Sequence, residues 1–91
     1  RPAQLQRVAS RFLSGREQAE YSTPDLLLWA WAAKEAIYKA AAIPGLSGPE
    51  IELESAFCRV ASVEDKYFRL STLYSVDYCC VVALCNNDAN T

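Results

Sequence analysis

A chain of 91 residues is long enough for one small domain and too short for two. With 52% hydrophobic and 22% charged residues it can bury a core, and a net charge of −2 with a pI near 5.0 argues against a general nucleic-acid binder, which carries an excess of Lys and Arg. No apolar run reaches the roughly 18 residues of a membrane span, and the lack of histidine removes the commonest general base and every Ser–His or Cys–His nucleophile pair.

Leu5, Val8, Ala9, Phe12 and Leu13 recur at helical spacing and predict a first amphipathic helix over residues 3–13. Ser14 with Glu17 three residues on is a capping-box pattern that starts a short second helix. In "YSTPDLLL", Thr23 can cap, Pro24 suits the first helical position and Asp25 favours the positive helix end. A long helix is therefore expected from Pro24 to about Ala42, stopped by Pro44 and Gly45.

After "PGLSGPE" the texture changes. "IELESAFCRV" alternates, and "YFRLSTLYS" and "DYCCVVALC" are aromatic and β-branched, so three strands are expected, the last two as a hairpin. The run Cys79 to Cys85 has the look of a central strand covered on both faces, and residues 86–91 form a polar tail. Helices first and antiparallel strands second make an α+β domain over residues 1–91, with the long helix on one sheet face.

Cys58, Cys79, Cys80 and Cys85 form no C-x-x-C, and three of them lie in one apolar run. They are expected to be free, buried thiols, which suits a reducing cytosol and a cytoplasmic protein.

Along the long helix, residues three and four apart share a face. Trp29, Ala33, Ile37 and Ala41 make one apolar row and Ala32, Ala36 and Ala40 a second, both expected on the sheet. A third row holds Trp31, Glu35 and Lys39, with Leu28 and Tyr38 beside it, so Glu35 borders a partly apolar groove. Spacing alone allows a solvated i,i+4 pair of Glu35 with Lys39, worth a few tenths of a kcal/mol, or a ligand-holding face.

The residues themselves separate the two. "WAWAAKEAIYKA" closely resembles the W/F-x-x-K-E-A-x-x-K signature of the 4'-phosphopantetheinyl transferase superfamily, which includes the holo-acyl-carrier-protein synthases; Trp31, Lys34, Glu35, Ala36 and Lys39 match it. "RFLSGREQAEY", Arg11 to Tyr21, is similar to that family's R-F-x-x-x-E segment. The resemblance implies transfer of the 4'-phosphopantetheine arm of coenzyme A to a serine of an acyl or peptidyl carrier protein, with magnesium. It also implies that Glu35 is a magnesium ligand and catalytic group, that Lys39 is catalytic and contacts coenzyme A phosphate, and that Lys34 meets phosphate at the groove edge.

The sequence departs from the family in one respect. The family's early G-[IV]-D-[IV]-E metal strand is absent, and the nearest text, "SVDYC" with Asp77, lies far along the chain without a partner acid. The expectation is therefore a C-terminal part of such a transferase, inactive or nearly so alone, with a sheet edge that would let it pair with another copy. The competing expectation, from a different class, is a small non-catalytic α+β interaction module. Neither expectation includes a nucleic acid or a membrane as partner.

Overall fold

Side-chain caps at Ser14 and Thr23 set where two of the helices begin. In the computed structural model, which describes residues 6–55, 59–64, 66–74 and 79–85, helix α1 spans Ala9–Phe12, α2 Gly15–Glu20 and α3 Pro24–Ala41. The predicted capping box forms. Ser14 Oγ accepts from the Glu17 amide at 3.2 Å, and the Glu17 carboxylate accepts from the Ser14 amide at 2.9 Å. Thr23 Oγ1 accepts from the Leu26 amide, with Pro24 in the first turn of α3. That helix ends at Ala42, a left-handed residue at φ 54° and ψ 40°, whose amide donates to the Tyr38 carbonyl.

A short 3₁₀ turn, Gly48–Glu50, leads into the sheet, whose strands are β1 Glu52–Leu53, β2 Val60–Val63, β3 Lys66–Tyr74 and β4 Cys79–Cys85. They lie in sequence order, each antiparallel to the next. Four strands thus replace the expected three, because "IELESAFCRV" holds β1 and only the first residue of β2, which pairs back on β1 with Leu53 opposite Ala61. Leu53, Ala61 and Val63 all face the core, and alternation along a run does not reveal that the chain reverses within it.

Helix α3 packs on β4 and, to a lesser extent, on β3. Trp29, Ala33, Ile37 and Ala41 are buried as their spacing requires. The second row is only partly engaged: Ala32 is buried, Ala36 half-buried and Ala40 exposed. Trp29 fills the centre of the core, and its indole N–H donates to Thr72 Oγ1 on β3 at 3.0 Å. Its ring lies 6.0 Å from that of Tyr21.

The expectation of a central, doubly covered β4 is corrected. The strand stands at one end of the sheet, with Val81 inward and Cys80, Val82 and Leu84 exposed on the far face. With Tyr67 and Leu73 they make that face apolar enough to resemble a buried strand in sequence. The thiols change accordingly. Cys79 is free and half-buried, Cys80 free and exposed; Cys58 and Asp77 lie outside the described residues.

Candidate active site

Three charged side chains leave α3 within six residues, and helix geometry sends them to different places. Glu35 and Lys39, one turn apart, are both exposed, and Trp31 one turn earlier is 40% exposed. Among the ion pairs of the described residues, none joins Glu35 to Lys39, so the solvated i,i+4 pair is not formed.

Glu35 and Trp31 stand on a ridge between two grooves. The first, about 200 Å³, is lined by Phe12, Lys34, Tyr38 and Gly48 besides these two. The second, about 290 Å³, runs between α3 and β4 and includes Lys39, Cys79 and Cys80. The third row of the helix therefore does border a partly apolar groove, with Glu35 reaching both sides.

Lys34 behaves differently. It borders the first groove, yet only 3% of it is exposed. Its ammonium donates to Glu17 Oε1 at 2.5 Å and to the Gly48 carbonyl at 2.9 Å. Glu17, 1% exposed, is the junction of the region. Besides Lys34 it accepts from the amide of Ser14, and from the amide of Leu53 at 3.2 Å. Arg16 beside it donates to the Leu53 carbonyl and pairs with Glu20, both at 2.7 Å.

Burial pushes the Lys34 ammonium below the ordinary lysine range, and the hydrogen bond and charge of Glu17 oppose that fall. A cation this deeply placed needs an acid against it, since an unpaired buried charge is costly.

Sequence reasoning found Glu17 only as a cap. The signal for its second role lies in another reading of α3. Leu27, Ala30, Lys34, Ile37 and Ala41 recur at helical spacing, and all five are buried. An ammonium inside an apolar stripe calls for a buried carboxylate, and Glu17, four residues before Tyr21, supplies it.

As a donor set for magnesium, the chain offers Glu35, and among the described residues no group of three or more acidic, Cys or His side chains could hold a metal ion. One exposed carboxylate fits the part of a single protein ligand, because magnesium commonly takes one or two carboxylates and fills its remaining positions with water and substrate phosphate.

The chain is thus an α+β unit whose long helix opens an acid, Glu35, and an amine, Lys39, onto grooves while sealing the preceding lysine, Lys34, inward. The chain belongs to the 4'-phosphopantetheinyl transferase superfamily, whose family model matches residues 1–87 of the 91. No curated protein and no solved structure matches the chain. No helix among the described residues is long and apolar enough to cross a membrane.

Proposed function

We propose that this chain acts in transfer of the 4'-phosphopantetheine arm from coenzyme A to a serine of an acyl or peptidyl carrier protein, with α3 supplying the charged side of the site. The observation that carries this reading is the placement of Glu35 and Lys39: both exposed, unpaired with each other and beside grooves, within a segment matching the superfamily.

The reaction forms a bond between the serine oxygen and the phosphorus bearing the arm, and breaks the bond from that phosphorus to the bridging oxygen. Adenosine 3',5'-bisphosphate leaves with the electron pair. Little covalent work falls to the protein, so alignment and charge neutralisation are the demands. Lys39, on the exposed face, contacts coenzyme A phosphate and offsets charge on the leaving group. Lys34, buried and paired with Glu17, lines the groove, and its one proton not committed to Glu17 or Gly48 is what it can offer a phosphate there.

Glu35 takes the serine proton directly or through water in this reading, and would serve as one ligand of magnesium. Magnesium, when bound, supplies positive charge along the pyrophosphate oxygens. Trp31 and Tyr38 give the groove apolar sides that can exclude water from the reacting bond.

Titration calorimetry of coenzyme A into the protein, with magnesium and then with EDTA, tests this. Magnesium-dependent binding that falls in Glu35→Ala to the weaker affinity seen in EDTA, and weakens in Lys39→Ala, is the expected result. A protein that binds coenzyme A under neither condition would overturn the reading and leave a non-catalytic interaction module.

A further inference from the structure

We propose that Glu17 is a positioning residue for the groove beside Glu35, acting through Lys34; this rests on the reading that coenzyme A and magnesium bind at that groove. The elements that Glu17 joins are the walls of the groove. Its carboxylate accepts from Ser14, two residues after the lining residue Phe12, and from Lys34, the neighbour of Glu35 on α3. It accepts again from Leu53, two residues after the lining residue Ile51.

The fourth wall is reached through the same ammonium, which also holds the Gly48 carbonyl. Gly48 lies close against α1, where a Cβ built on it would stand 2.6 Å from Phe12 Cα, so the turn and Phe12 are packed with no side chain between them. Any shift of Lys34 is thus passed to the turn and to Phe12. The backbone of α3 carries it to Glu35 as well, one residue along.

Stability alone is a poor account of this junction. Replacing a buried ion pair by apolar side chains of similar volume is often neutral or stabilising, whereas a directional pair fixes one arrangement of the elements it joins. Here the arrangement fixed is the spacing of α1, α3, the 3₁₀ turn and β1 around one groove. Residues that orient a ligand-holding side chain from behind commonly change affinity about 10-fold or more when altered.

The test uses Glu17→Gln, which keeps a side chain of the same shape, in wild-type and Glu35→Ala backgrounds. Coenzyme A affinity with magnesium is measured by calorimetry well below the melting temperature, and the melting temperature itself is recorded for each variant. If Glu17 acts by placing Glu35, Glu17→Gln weakens coenzyme A affinity in magnesium about 10-fold in the wild-type background and changes the residual affinity of Glu35→Ala little. A merely structural role lowers the melting temperature equally in both backgrounds and leaves affinity unchanged.

Unchanged affinity, or the same loss in both backgrounds, overturns the proposal while leaving the proposed function standing. A wild-type protein that does not bind coenzyme A overturns both. Should Glu17→Gln melt too low to assay, Glu17→Asp keeps the charge opposite Lys34 but cannot span Ser14, Lys34 and Leu53 together, and the same two backgrounds decide.

Discussion

Gly48→Ala is the substitution whose cost can be worked most directly from the structure. The new methyl would meet Phe12 Cα at 2.6 Å, Phe12 Cβ at 2.9 Å and the Phe12 carbonyl oxygen at 2.9 Å. Two of these atoms are backbone, so no side-chain rotation relieves the clash, and either α1 or the 3₁₀ turn must move. Overpacking of this kind costs about 1–3 kcal/mol. Moving the turn also strains the bond from Lys34 to the Gly48 carbonyl, a hydrogen bond to a charged group worth about 1.5–3 kcal/mol when lost outright. Taking about 2 kcal/mol overall, and about 4–8 °C per kcal/mol for a domain of this size, the melting temperature should fall by about 8–16 °C. Gly15→Ala is the matched control, since a Cβ there meets nothing within 4 Å. It sits at the start of α2 and should gain about 0.4–1 kcal/mol by restricting the unfolded chain. Thermal unfolding followed by circular dichroism compares the two. Equal melting temperatures for Gly48→Ala and Gly15→Ala would refute the close approach of the turn to Phe12.

Three further outcomes are expected. Ala42→Gly should raise stability by about 1 kcal/mol in urea titrations, because a left-handed residue with a Cβ at the end of α3 carries a penalty that glycine lacks. Glu35→Ala and Lys39→Ala, at exposed positions without an ion pair between them, should each unfold within about 0.5 kcal/mol of wild type, so that any lost ligand binding reports the site and not the fold. Burial, aided by Cys80, raises the Cys79 thiol above its ordinary value of 9.0. Between that value and the higher folded one, the unfolded chain has released a proton that the folded chain retains, so this group's contribution to stability declines as pH rises. The alkaline fall in the urea midpoint should be shallower in Cys79→Ala than in wild type.

Local chemistry made the helical half of the fold legible. Ser14, Glu17, Thr23 and Pro24 act on their own neighbours within a turn, and each cap forms as the sequence predicts. The apolar row from Trp29 to Ala41 was equally plain, because a buried stripe follows from spacing alone. Strand number and order were less accessible. Whether Ile51 to Val63 is one strand or a reversal depends on pairing with β3, which alternation does not encode. Val82 and Leu84 suggested a covered strand, although the covering element is absent from one face among the described residues. At the site, Glu35 and Lys39 were visible as an exposed pair in a recognisable motif. The partnership of Lys34 with Glu17 spans 17 positions in sequence, and only the tertiary fold brings the two together.

The two bonds that α2 sends to Leu53 have an architectural consequence. An outermost strand ordinarily offers alternate amides and carbonyls to whatever chain comes next. At Leu53 the amide is taken by Glu17 and the carbonyl by Arg16, so two consecutive helix side chains stand where a fifth strand would bond. The sheet is thereby terminated on that flank by a helix that contributes no backbone to the ladder. A strand could add beside β1 only if both side chains withdrew, and withdrawal of Glu17 would strand Lys34 without its acid. The bond that closes this flank at the Leu53 amide and the bond that neutralises Lys34 thus share one carboxylate, that of Glu17.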